Sequence, residues 1–174
     1  MIPHVAVREA GAEDVPALSL IGSATFLETF AGLLDGGAIV EHCRSRQSED
    51  YYRTSLSCGC RAFVAEALPR GAPVGFALVG PPDLPVAIEG DVELKRIYIL
   101  SRFHGRGTGS ILMAEALHAA ATYRRLLLGV YSANSAARAF YECKGFAPIG
   151  TRDFYVGGVA YEDTMYAKAI TARQ

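Results

Sequence analysis

The sequence predicts an α+β (mixed α/β) fold, a central mixed sheet of about seven strands flanked by helices, as one domain over residues 1–174. Two observations carry this reading. Residues 92–113, VELKRIYILSRFHGRGTGSILM, read as strand, glycine-rich turn and helix. A β-branched and aromatic run gives way there to three alternate glycines, then to apolar residues at helical spacing. Residues 125–130, RLLLGV, form a short apolar run that fits a buried parallel strand. A length of 174 residues suits one such domain with a full core, and 51% hydrophobic with 20% charged residues is a globular composition.

The remaining elements follow in order. Residues 4–9 alternate apolar and polar and open the chain as a strand. Glu13 and Asp14 supply acids to the first turn of a helix that tolerates Pro16 and carries Val15, Leu18, Ile21 and Thr25 on one face. Gly32, Gly36 and Gly37 break the chain before a second, polar helix over residues 39–52. Residues 61–67 and 73–79 alternate as two antiparallel strands joined by Pro69-Arg-Gly-Ala, and a stiff loop with Pro81, Pro82 and Pro85 leads to a strand starting near Ile88. After the central unit, Asn134 caps a helix that Gly145 ends in a left-handed conformation, with Ala137, Phe140 and Tyr141 sharing a face. Residues 146–155 and 161–168 close the chain as paired strands around Gly157-Gly158.

Composition narrows the functional classes. Seventeen Lys and Arg against 18 Asp and Glu, with no basic block, leave no nucleic-acid footprint. No apolar run approaches a membrane span, and the opening Met1-Ile-Pro-His-Val lacks the pattern of a signal peptide, so a cytoplasmic protein without a membrane partner is expected. Cys43, Cys58, Cys60 and Cys143 hold a lone CxC, and the four histidines are scattered without ligand spacing. Free thiols and no metal are the expectation.

The glycine turn is where chemistry enters. Gly105, Gly107 and Gly109 let backbone N–H groups approach a ligand without Cβ interference, the helix start adds partial positive charge, and Arg106 adds a cation, a combination suited to phosphate or pyrophosphate. A P-loop is excluded, since no Gly-Lys-Ser/Thr occurs in the chain. A dinucleotide fingerprint begun at Gly105 puts Ser110 at its third glycine, and one begun at Gly107 puts Leu112 there. An ordinary glycine-rich turn without a ligand stays open on this stretch alone.

His104-Gly-Arg-Gly-Thr-Gly109 resembles the Gln/Arg-x-x-Gly-x-Gly/Ala pyrophosphate loop of the GCN5-related N-acetyltransferases (GNAT), with His104 where Gln or Arg is usual. Asn134-x-x-Ala137-x-x-Phe140-Tyr141-x-x-x-Gly145-Phe146 resembles the second signature block of the same superfamily, in the right order along the chain. Within it, Thr25-Phe-x-Glu-Thr-Phe30, Glu93-Leu-Lys-Arg-Ile-Tyr-Ile99 and Gly150-Thr-Arg-Asp-Phe-Tyr-Val156 are similar to segments of bacterial spermidine/spermine N-acetyltransferases.

The resemblance implies the GNAT fold, acetyl-CoA as co-substrate, and direct acetyl transfer to a primary amine, with a small polyamine such as spermidine or spermine as acceptor. It assigns His104, Gly105, Arg106, Gly107, Thr108, Gly109 and Ser110 to the pyrophosphate. The backbone of Ile97, Tyr98 and Ile99 would hold the pantetheine arm where strand 92–100 splays from strand 125–130, and Asn134, Ala137 and Tyr141 would complete the coenzyme side. Tyr141 would protonate the leaving thiolate, the alternative being a core tyrosine with a bonded hydroxyl. Glu93 would take the amine proton, the alternative being a surface carboxylate. Glu28 would touch the acceptor, the alternative being a solvated helix face. Glu28, Glu89, Asp91 and Glu93 are the acids available to a cationic acceptor, and Cys143 reads as structural. Two alternatives remain: another acceptor (a protein N-terminus, an amino acid or an antibiotic amine) and a non-catalytic coenzyme A sensor; the resemblance also allows a homodimer built on the apolar content of residues 150–168.

Overall fold

The computed structural model describes residues 4–170. In chain order it comprises β1 (Val5–Ala10), a 3-10 turn (Ala12–Asp14), α1 (Val15–Phe30), α2 (Gly36–Arg46), α3 (Glu49–Ser57), β2 (Arg61–Ala67), β3 (Ala72–Gly80) and β4 (Asp91–Ile99). A second 3-10 turn (Ser101–Phe103) then leads to α4 (Thr108–Ala119), β5 (Arg125–Tyr131), α5 (Ser135–Cys143), β6 (Ala147–Val156) and β7 (Val159–Ala169). The strands form one seven-stranded sheet in the order β1-β2-β3-β4-β5-β7-β6. Every neighbouring pair is antiparallel except β4 and β5, so the sheet is mixed, as expected.

Strand alternation sends apolar side chains to both faces. On one face Val92, Leu94, Leu126 and Leu128 pack against Leu112, Met113 and Ala116 of α4 and Tyr141 of α5. On the other, Ala62, Phe76 and Leu78 meet Val15, Leu18 and Ile21 of α1 and Tyr52 of α3. A smaller cluster of Phe26, Leu34, Ile39 and Val156 ties α1 and α2 to the end of β6.

Two boundaries and one register differ from the sequence reading. Residues 39–52 are not one helix: α2 ends at Arg46, and Ser48 starts α3 by accepting a hydrogen bond from the Tyr51 N–H at 3.1 Å. A serine in that position competes with helix continuation through its own side chain. The central strand begins at Asp91, because the Asp91 carboxylate accepts from the Ile88 N–H at 2.9 Å and shapes residues 88–91 as a turn. β4 is also irregular, since Val79 pairs with Leu94 while Leu78 pairs with Arg96, leaving Lys95 as an extra residue in a bulge. The closing hairpin turns at Gly157 and Gly158 with φ of +58° and +78°, the doubly left-handed turn that only glycine makes readily.

Candidate active site

The site begins where the two parallel strands part. β4 and β5 pair at Asp91–Arg125, Val92–Leu126 and Glu93–Leu127 and nowhere beyond. β5 stays paired with β7 along its length, whereas the β5-facing edge of β4 over residues 94–99 has no strand partner among the described residues. The root of this notch is clamped. Arg125 donates from Nε and Nη2 to both oxygens of the buried Asp91 carboxylate, at 2.9 and 2.6 Å, which with the Ile88 N–H holds Asp91 below its ordinary pKa. A row of backbone groups on a strand edge, open beside a cleft, can hydrogen-bond an extended ligand.

At the far end of the notch lies the glycine turn. His104 Nε2 sits 2.8 Å from the Ile99 carbonyl oxygen and ties the turn back to β4. Gly105 and Gly107 have φ of +68° and +83°, and nothing stands within 4 Å of where a Cβ would be on either. Gly107 is the N-cap of α4 and offers no side-chain cap, so the N–H groups of the first turn point out unclaimed. Thr108 is buried and its Oγ1 has no hydrogen-bond partner. Gly109 packs so closely that a Cβ would stand 3.3 Å from Ile99 Cδ1 and 3.4 Å from the Phe140 ring, which seats α4 against both β4 and α5. Arg106 is exposed, and Lys144 Nζ donates to Ser110 Oγ at 2.8 Å. Donors, dipole and cations converge on one open turn, and that chemistry fits a diphosphate.

α5 supplies the third wall. Asn134 Oδ1 accepts from the Ala137 N–H at 3.1 Å, so Asn134 acts as the expected cap, and half-buried Ala137 packs on the core. Tyr141 is only 8% exposed, with its ring against Phe140, Phe146 and Tyr166. Its hydroxyl makes no hydrogen bond among the described residues, unlike that of Tyr166, which bonds both Glu142 and Arg138. Burial, with the Tyr98 phenol adding to it, pushes Tyr141 above its ordinary pKa and keeps the proton on.

The opposite side of β4 faces α1 and α3. Buried Glu93 accepts the Asp83 N–H at 2.7 Å on Oε2, and Lys95 lies 3.8 Å away while pairing with Asp83 at 2.6 Å. Glu93 is thus not a surface carboxylate. Glu28 is exposed on α1, and both its oxygens accept from Ser101, from the backbone N–H and from Oγ, each at 3.1 Å. It braces the turn that follows β4. Among the other expected acids, Asp91 is consumed by Arg125 and Glu89 is exposed.

Sequence reasoning passed over Asp163. This β7 carboxylate is buried beside Gly129, where a Cβ would stand 3.3 Å from Oδ2, and it pairs with Arg152 at 3.2 Å. Burial raises its pKa, Arg152 pulls the other way, and the nearby charge of Glu93 adds to the rise. An isolated acid in a closing strand carried no local signal. Lys144 lies inside the Asn134–Phe146 block, so its position near the glycine turn was within reach of helix geometry. An aromatic wall also escaped notice. Phe26 stacks on His42 at 4.0 Å, and Tyr131 lies 5.9 Å from Phe30 and 6.1 Å from both Phe154 and Tyr161. Among the described residues, no three His, Cys, Asp or Glu side chains converge as metal ligands, and no helix is long and apolar enough to cross a membrane.

A sequence model of the acetyltransferase (GNAT) family matches residues 28–146. The chain belongs to the GNAT family. The match runs from Glu28 through the notch, the glycine turn and Tyr141 to Phe146, so it contains most of the site. Uncharacterised N-acetyltransferases of Mycobacterium bovis and Mycobacterium tuberculosis are each 38% identical over 89 residues, which is 50% of this chain. The chain spans about half the length of these curated relatives, 54%. Among solved structures, the PaiA N-acetyltransferase of Thermoplasma acidophilum in complex with coenzyme A is similar with a TM-score of 0.77 at 20% identity, covering 95% of this chain and 99% of that one. The ribosomal-protein-alanine N-acetyltransferase of Brucella melitensis is similar with a TM-score of 0.70 at 25% identity, covering 94% and 99%. The GNAT fold expected from the sequence is therefore the fold observed.

Proposed function

We propose that this GNAT protein is an acetyl-CoA-dependent N-acetyltransferase that moves the acetyl group directly to a primary amine. The observation that carries the reading is the parting of β4 from β5 after Glu93 and Leu127, between an uncapped glycine turn and an unbonded buried phenol. Acetyl-CoA supplies a thioester, and the chain supplies the rest. Backbone N–H groups of residues 105–110, with Arg106, hold the diphosphate, and the open edge of β4 at Ile97, Tyr98 and Ile99 orients the pantetheine amides. His104 takes its place in this set by fixing the Ile99 carbonyl. The edge N–H groups of β4 also suit the negative charge that develops on the thioester carbonyl. Tyr141 holds a proton in a dry wall where the leaving sulfur can take it. Glu93 accepts the amine proton, directly or through one water.

The acceptor reading is a small amine approaching from the face of β4 that carries Glu93. A polyamine is the acceptor class that the sequence resemblance favoured, and the acids left to meet its cationic chain reduce to Glu93 and Asp163. A homodimer through β6 rests on its position at the sheet edge and on exposed Ile149 and Tyr155. A cytoplasmic setting fits four free thiols. The test is thiol release from acetyl-CoA with polyamines, amino acids and a short peptide as acceptors, beside calorimetry with coenzyme A. Turnover with one amine class supports the reading. Tight coenzyme binding without turnover on any acceptor would point instead to the sensor.

A further inference from the structure

Acetyl transfer to a primary amine takes two protons off nitrogen. The acceptor arrives as R–NH₃⁺ and leaves as R–NH–CO–CH₃, so one proton departs before attack and one after it. Glu93 is a single acceptor for two departures. A second carboxylate lies on the same face of the sheet. Glu93 pairs with Leu127 across β4 and β5, and Asp163 pairs with Tyr131 across β7 and β5, so all four share a face with Gly129 between them. Asp163 leans over that glycine: its Oδ2 stands 3.3 Å, and Leu84 Cδ2 3.5 Å, from where a Cβ would be. The adjacent Asp83 N–H meets Glu93 Oε2 at 2.7 Å, which brings both acids under one loop. Each acid has one oxygen engaged. Arg152, the register partner of Asp163 on β6, donates to Oδ2 from Nε and Nη2 at 3.3 and 3.2 Å. Asp163 Oδ1 and Glu93 Oε1 make no hydrogen bond among the described residues. The sealed side-chain polar atoms without a partner there belong to Gln47, Arg96 and Thr108, so these two carboxylate oxygens keep contact with solvent.

We propose that Asp163 is a second proton acceptor of the reaction, taking the proton of the arriving ammonium through one water, while Glu93 takes the proton of the nitrogen once it has attacked. The proposal rests on the acetyl-transfer reading above and adds a residue to it. The protons balance. R–NH₃⁺ and the Asp163 carboxylate give R–NH₂ and the carboxylic acid, whose proton passes to solvent. The N–C bond then forms, the adduct nitrogen gives its proton to Glu93, and the C–S bond breaks as Tyr141 protonates the sulfur. The proton on Glu93 restores Tyr141, so one proton is released per turnover. Asp163 suits the first transfer because Arg152 fixes it through one oxygen and leaves the other to water. Burial foremost, with the charge of Glu93, pushes its pKa above the ordinary carboxylate value, against the pull of Arg152. A carboxylate raised in this way is a better match for an amine's proton. The other polar groups on its face are Tyr131 from β5 and Tyr161 from its own strand, and Lys95 and Asp83 stand beside Glu93.

Thiol release from acetyl-CoA tests this between about pH 7 and pH 10, with spermidine, leucine and a short peptide as acceptors and the fastest carried forward. Tyr141 keeps its proton over that range. At pH 7 Asp163→Asn should lower kcat/KM by at least about tenfold, with coenzyme A affinity unchanged. The deficit should shrink to about twofold near pH 10, where the amine is largely neutral in solution and needs no first acceptor. Glu93→Gln should instead lose activity by a factor that stays constant with pH, since its proton leaves after attack. Asp163→Glu keeps the charge for Arg152 and displaces the acid, so it should show the same pH-dependent deficit in smaller measure even if the Asn variant folds poorly. A deficit that is constant over the range, or a kcat/KM within about twofold of wild type at pH 7, overturns the proposal and leaves Asp163 a structural partner of Arg152. The wild-type protein is measured first. Its failure to turn over any of the three amines would overturn the acetyl-transfer reading, and this proposal with it.

Discussion

Replacing Tyr141 with Phe removes one oxygen atom from the centre of the proposed chemistry. The ring contacts with Phe140, Phe146 and Tyr166, at centroid separations of 5.5, 6.0 and 6.4 Å, stay as they are. No protein hydrogen bond is lost, because the hydroxyl makes none among the described residues. Stability should therefore hold to within about 1 kcal/mol. Turnover should not hold. A positioned general acid is worth roughly 10²–10⁴-fold, or about 2.7–5.4 kcal/mol of barrier at 1.36 kcal/mol per tenfold. A thiolate leaves readily without help, so the low end of that range, on the order of a hundredfold, is expected. The phenol is raised above its usual value of 10, so the wild-type rate should show no alkaline loss from this group below that pH. Steady-state thiol release, coenzyme calorimetry and a melting curve on both proteins measure all three quantities. A variant turning over within about twofold of wild type would refute the assignment of the acid. A melting midpoint several degrees lower would show that the hydroxyl was bonded after all and that Tyr141 is a core tyrosine.

Two further outcomes test the scaffold around that centre. Gly107→Ala forces a side chain into φ of +83° with open space around it, so the cost is backbone strain alone, roughly 1–2 kcal/mol. A midpoint lower by roughly 2–8 °C is expected from that cost. Coenzyme A affinity should fall at least fivefold as the turn rearranges, and an unchanged titration would separate the turn from coenzyme binding. His42 is pushed down to about 4 from its usual 6.5, by burial first and then by Arg96 and Arg46. The unfolded chain holds that proton between the two values and the folded chain does not. Stability is then complete above pH 6.5 and lost as pH falls toward 4, by about 1–2 kcal/mol after solvent screening. His42→Phe, which keeps the stack on Phe26, should flatten denaturant midpoints across that window; an unchanged slope would assign it to other groups.

The elements that local pattern controls were legible in the sequence. The strand–turn–helix at residues 92–113, the Asn134 cap, the left-handed Gly145 and the Gly157–Gly158 hairpin all depend on a few neighbouring residues, and all stand where expected. The break at Gln47–Ser48 was missed because a polar helix shows little periodicity, and one serine side chain decides it. The candidate site was legible in its glycine turn and its Asn134 cap, which announce themselves along the chain. On the acceptor side it was not. Glu28, read as an acceptor contact, spends both oxygens on Ser101, 73 positions away, and Asp163 comes to Glu93 only through the order of β4, β5 and β7. Such partnerships have no signature in one sequence.

The bulge at Lys95 joins the two sides. In a regular strand, residues 93, 95, 97 and 99 would share one face and residues 92, 94, 96 and 98 the other. Arg96 and Tyr98 would then enter the core under α4, and Ile97 and Ile99 would replace them beside α1 and α3. The extra residue reverses the parity: Val92 and Leu94 are in the α4–α5 core, Ile97 and Ile99 pack against that same core, and Tyr98 packs with the α1–α3 cluster. The sequence does carry this slip. Its apolar beats fall at 92 and 94, then at 97 and 99, with Lys95 and Arg96 side by side between them. One inserted residue therefore keeps the hydrophobic face of β4 continuous while bringing Glu93 and Arg96 to the same surface.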